Sequence, residues 1–107
     1  MKAVVIKGTR EGIVIVLRGG NSEKVLLELE ATLSSAGSLL EGNKVVLEIK
    51  VPDMGVDELS KAMEILRNHG LFPEKIVSDE ERVRKAAYAL GLEVEKGREE
   101  KTLSLPW

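Results

Sequence analysis

Cysteine and glutamine are both absent from this 107-residue sequence. Without cysteine the chain forms no disulfide and does no thiol chemistry. Histidine occurs once, at His69, so no pair of imidazoles can build a metal site or a proton relay. No apolar run is long enough to cross a bilayer. Met1-Lys2 leads straight into a strand pattern, with no charged-then-apolar leader, and a soluble cytoplasmic domain is expected. An excess of positive charge is also missing: 16 basic residues face 18 acidic ones, for a net charge of −2. That balance argues against a nucleic-acid footprint, which needs a clustered basic excess. About a third of the residues are charged and asparagine is scarce. Such a composition fits a thermophilic source and equally fits ordinary variation in a short chain.

What is present centres on residues 44–78. Lys44 to Val51 alternates, with Val45, Leu47, Ile49 and Val51 on one face and Val46, Glu48 and Lys50 on the other. This predicts a strand with one dry and one wetter face, stopped by Pro52. From Val56 the period turns helical, through Leu59, Met63 and Leu66, and Gly70-Leu71 supplies a helix stop. Ile76 and Val77 belong to the following strand. A strand, helix and strand of these lengths make a parallel βαβ unit.

The rest of the chain is read against that unit. Ala3–Lys7 is predicted as a first strand, Gly8–Gly12 as a polar turn and Ile13–Arg18 as a second strand, together a hairpin with a longer loop. Ser22 is the expected N-cap of a helix carrying Val25, Leu26, Leu29 and Leu33, ended by Ala36-Gly37. Leu39 and Leu40 are expected to tuck under the sheet. Ser78-Asp-Glu-Glu81 has the S-x-x-E form of a capping box. Val83, Ala86, Ala87 and Leu90 follow it as a buried stripe, and Gly91-Leu92 repeats the stop before a short strand at Leu92–Glu95. The predicted fold is an α/β two-layer domain of order ββαβαβαβ, with a mixed β-sheet of about five strands and three helices mostly on one face. Residues 1–95 form this domain, and 96–107 form the start of a charged linker and an extended tail. The alternation of Leu103, Leu105 and Trp107 predicts that Thr102–Trp107 pairs with a sheet edge or a neighbouring chain.

No residue set supports catalysis. His69 sits in a last helical turn, where a partly charged imidazole suits the helix dipole. Gly19-Gly20-Asn21-Ser22 lies between a strand and a helix but lacks both nucleotide-binding glycine fingerprints, so an ordinary glycine turn is preferred. No serine sits in a nucleophile elbow, and Glu28/Glu30 and Glu80/Glu81 read as solvated faces. Lys7-Gly8-Thr9-Arg10 is the most distinctive polar cluster; taken alone it is a solvated hairpin turn. A protein-binding module is the class that remains.

With these residues laid out, the chain resembles the N-terminal domain family of MinC, the septum-site-determining inhibitors of bacterial cell division. The resemblance is carried by an ordered set over residues 3–101. It comprises a first strand ending Ile6-Lys7-Gly8, then Val45-Val46-Leu47-Glu48-Ile49, a helix stop at Gly70-Leu71, Val77-Ser78-Asp79, and Gly91-Leu92 leading to Glu95-Lys96-Gly97. It implies a non-catalytic domain, with no cofactor and no metal, that binds FtsZ and antagonises its filaments. It ties that activity to Lys7 and Gly8, and the candidate FtsZ-binding set is Lys7, Gly8, Thr9 and Arg10. In the family a second, β-helical domain dimerises and binds MinD; this chain stops at Trp107, where the linker to it would begin. These residues are therefore expected to reach MinD only through such a domain and to bind neither membrane nor nucleic acid directly. A homodimer of these residues alone would use an edge strand or the tail. The alternative is a regulatory module of the anti-anti-sigma (STAS) type, which needs a phosphorylatable serine after the central strand. Asp53-Met54-Gly55 stands there instead.

Overall fold

The computed structural model describes residues 2–10 and 12–96. Five strands form one sheet: β1 (Val4–Thr9), β2 (Gly12–Arg18), β3 (Lys44–Lys50), β4 (Phe72–Val77) and β5 (Val94–Glu95). Their order across the sheet is their order in the chain. β1 and β2 run antiparallel, and the remaining neighbours are parallel. The three helices are α1 (Ser22–Ala36), α2 (Val56–Asn68) and α3 (Glu81–Ala89). They lie side by side over one face, α1 against α2 and α2 against α3. The α/β fold, the element order and the mixed sheet are those expected from the sequence.

Alternation in the strands decides which face the helices cover. Ile13, Ile15 and Leu17 of β2, and Val45, Leu47 and Ile49 of β3, are buried in one core with Leu29, Leu33, Leu59, Met63 and Leu66 from the helices. Register ties the strands together: Leu47 is level with Ile15 on one side and Ile76 on the other. The ladder between β3 and β4 is irregular at Val45/Val46, where Val45 pairs with Pro73 and Val46 with Lys75. Proline has no N–H to donate to a ladder, so a bulge at Pro73 and Glu74 accommodates it.

Both glycine-leucine stops form. After α2, Gly70 N–H donates to the Arg67 carbonyl at 3.0 Å and Leu71 N–H to the Leu66 carbonyl at 2.9 Å, with Gly70 at φ 77°. After α3, Leu92 N–H donates to the Ala87 carbonyl at 2.9 Å, with Gly91 at φ 75°. These are Schellman closures, whose left-handed residue favours glycine.

Four local expectations are corrected. Asn21, not Ser22, caps α1: its Oδ1 accepts from Lys24 N–H at 3.0 Å, and Ser22 is the first helical residue. The hairpin is tighter than expected, since β1 runs on to Thr9 and β2 starts at Gly12, leaving only positions 10 and 11 between them. Leu39 is 85% exposed, whereas Leu40 packs against the core. The pair lies in a 3₁₀ turn (Gly37–Leu40), where successive side chains point about 120° apart, so one goes in and the other out. Ser78 and Glu81 do not form a capping box. α3 begins at Glu81 with Glu80 as its N-cap and no side-chain cap bond. Ser78 is buried, and its Oγ donates to the Ile49 carbonyl at 2.6 Å and accepts from Glu80 N–H at 3.1 Å. A buried carbonyl at the end of β3 outcompetes the local cap, because leaving it unpaired costs more. Ser78→Ala should therefore lower stability by about 1–3 kcal/mol, read as a fall in the urea midpoint. A midpoint equal to that of the unmodified chain would show that this contact contributes nothing. The tail pairing expected of Thr102–Trp107 lies outside the described residues.

Candidate functional site

The four candidate residues occupy one corner of the sheet, at the outer end of β1. Lys7 pairs with Val14 and Gly8 with Ile13, both inside the regular antiparallel ladder. Thr9 closes the hairpin opposite Gly12, and its Oγ1 donates to the Gly12 carbonyl at 3.0 Å. All of Lys7, Gly8, Thr9 and Arg10 are exposed. By alternation Lys7 stands on the face that the helices leave open.

The two glycines of this hairpin differ. Gly8 has an ordinary φ, and a Cβ built on it would meet nothing within 4 Å. It is a strand residue with open space beside it, not part of the polar turn expected at Gly8–Gly12. The constrained position is Gly12, at φ 139°, where a Cβ would come within 3.0 Å of the Lys44 carbonyl oxygen. Gly12 lets the hairpin end close against the start of β3. That approach brings Lys44, a residue the sequence reading did not single out, to the same corner as Lys7 and Arg10. Its position follows from the strand order, which residue spacing along the chain does not carry. Lys7, Arg10 and Lys44 are exposed cations on long stems, suited to meeting acidic groups of a partner without disturbing the core.

The other sequence candidates resolve differently. His69 caps α2, and its Nε2 lies 3.0 Å from Glu30 Oε2 on α1. An ionised carboxylate only accepts, so the imidazole donates. This hydrogen bond is the main reason the Glu30 carboxyl sits below its ordinary titration range. The contact clasps two helices together at the surface. At Gly19–Ser22, the Asp53 carboxylate accepts from Ser22 N–H at 3.4 Å. An anion already faces the first turn of α1, which leaves that turn unsuited to a phosphate. Met54 is fully buried, so the position a phosphoswitch would require to be an accessible hydroxyl is part of the core. Among the described residues no group of three histidine, aspartate or glutamate side chains comes together as a metal site. No helix there is long and apolar enough to cross a membrane.

Comparison with known proteins gives one family. The model of the family described as septum formation inhibitor MinC, N-terminal domain, matches residues 4–73, about two thirds of the 107-residue chain. The match runs from the first residue of β1 into β4 and takes in the hairpin corner. No curated protein matches the chain.

Proposed function

The chain belongs to the MinC N-terminal domain family of septum formation inhibitors, and from that premise we propose that it acts by binding FtsZ and antagonising its filaments without catalysis. The family places it in cell division. The contact we assign is the corner formed by Lys7, Gly8, Thr9 and Arg10. One observation carries this assignment: Gly8 sits in regular strand with open space beside it, flanked by the exposed Lys7. A partner backbone can come close there, and a cation stands ready to meet an acidic group. The setting is the cytoplasm, where FtsZ assembles. Any link to MinD runs through a further domain outside these residues.

FtsZ sedimentation tests the reading. Purified chain added in molar excess to FtsZ under assembling conditions should lower the pelleted fraction, and less so as salt is raised, because exposed charges are screened. A pellet unchanged at every ratio and ionic strength, with the chain folded by circular dichroism, would overturn it.

A further inference from the structure

The face of the sheet opposite the helices is uncovered among the described residues, and it forms a shallow concavity of about 730 Å³. Two rows of side chains cross it. One holds Val77 on β4, Glu48 on β3 and Val16 on β2; the other, two residues nearer the strand starts, holds Lys75, Val46 and Val14. Glu48 interrupts the first row, and Lys75, with its partner Glu95 at 3.0 Å, occupies the outer end of the second. The continuous apolar path is therefore the diagonal from Val77 to Val46 and on to Val14. Neighbouring strands are about 4.8 Å apart and diagonal neighbours about 7–8 Å, so this path is roughly 13 Å long. Val77, Val46 and Val14 are each only half-buried, so a cover would remove further apolar surface from water.

We propose that this path seats the chain's own residues 102–107, Thr-Leu-Ser-Leu-Pro-Trp. The described residues end at Lys96, directly after β5, on the border of this face. Val77 is level with Glu95, so the path starts one strand away from where the chain leaves β5. Crossing to Val77 takes about 5 Å, and standing off at the spacing of two packed layers takes about 10 Å. Residues 97–102 reach roughly 20 Å when extended, which is ample. Leu103, Leu105 and Trp107 share one side of an extended segment, at intervals of about 6.6 Å and over roughly 13 Å, the length of the valine path. Thr102 and Ser104 then turn to water. Pro106 selects the face over an edge. It has no N–H to give to a ladder, and an added strand beside β5 would find only two residues to pair with. A segment resting on side chains needs no ladder. The short connection also holds the segment at a high effective concentration, so a modest apolar contact is enough to seat it.

Trp107 is the single tryptophan, so its fluorescence reports the seat directly. No FtsZ enters the test, and its outcome is independent of the function proposed above. In the full chain the emission should be blue-shifted from that of a free peptide of residues 97–107, and acrylamide should quench it several-fold less. Neither value should change on dilution, because the contact lies within one chain. Val46→Lys, which puts a cation in the middle of the path, should return emission and quenching to those of the peptide, with the far-UV circular dichroism unchanged. Leu103→Ser/Leu105→Ser should do the same from the other side of the contact. If Val46→Lys fails to fold, Val14→Lys takes its place. Three results would overturn the proposal. One is emission and quenching in the full chain equal to those of the peptide. Another is a blue shift present only at high concentration, which would mean pairing between copies. The third is a blue shift that persists in a folded Val46→Lys or Val14→Lys chain, or in Leu103→Ser/Leu105→Ser, which would put Trp107 in another seat.

Discussion

Leu47→Ala is expected to lower the unfolding free energy by about 2–5 kcal/mol, the range for removing most of a buried leucine and leaving a cavity. Leu47 is 0% exposed and lies in β3, the central strand. Its neighbours in register are Ile15 and Ile76, both also fully buried, and all three share one core with Leu29 and Leu33 of α1 and Leu59, Met63 and Leu66 of α2. Close-packed surroundings held by strands on both sides relax little, so the cost should fall in the upper part of that range. A domain of this size has a net stability of about 5–15 kcal/mol, so one side chain accounts for a sizeable share of it. The measurement is a denaturant titration followed by circular dichroism, with the slope unchanged and the midpoint displaced. Val46→Ala is the control. Val46 is the adjacent residue in the same strand but faces the open side and is half-buried, so its truncation should displace the midpoint far less. Equal displacements for the two would mean that the faces of β3 have been assigned wrongly, and no displacement for Leu47→Ala would refute its place in the core.

The second large effect is on activity. Lys7→Glu and Gly8→Asp should each abolish FtsZ antagonism while melting close to the unmodified chain. Gly8→Asp makes the sharper case. Had Gly8 needed a left-handed backbone, aspartate would strain the hairpin, and lost activity would report lost structure. Its φ is ordinary and its surroundings are open, so any side chain fits. Replacing a strand glycine also removes its entropic cost to the folded state, about 0.5–1 kcal/mol. What changes is bulk and charge on the presented surface. Gly12→Ala provides the contrast, because there φ is 139° and the Lys44 carbonyl blocks a Cβ. That variant should lose stability, with activity falling only in proportion. If Lys7→Glu keeps full antagonism, the corner is not the contact; a Gly8→Asp chain that melts early would return Gly8 to a purely structural role.

Much of this was legible in the sequence, for reasons that differ from place to place. The glycine-leucine stops at Gly70 and Gly91 are local devices closed within one helical turn, so six residues of sequence contain the whole argument. The faces of β3 follow from a period of two, which distant contacts do not alter. The capping box at Ser78 failed because its serine had a better use 29 positions away in the chain, on the Ile49 carbonyl. Asn21 displaced Ser22 by one residue, within the ordinary slack of helix boundaries. Leu39 and Leu40 look alike in sequence and are separated only by the turn that holds them. At the candidate corner the sequence supplied Lys7 to Arg10. Which glycine carries the strain, and that Lys44 stands beside them, depended on how β2 meets β3.

That strand order has a kinetic meaning. Every strand is laid beside the one made just before it, so the sheet widens in the direction of synthesis and no strand waits for a distant partner. A ribosome delivers the hairpin of β1 and β2 first, then α1 with β3, then α2 with β4, and each arrival finds its docking edge already exposed. Closure of loops of this modest, uniform length favours rapid folding over topologies that join the two ends of the chain. The growing edge is also the vulnerable one at each stage, since an unpaired parallel edge is a template for the wrong strand. In the finished sheet the last strand added, β5, has only two residues. Among the described residues, an edge that short offers little for a further strand to pair with.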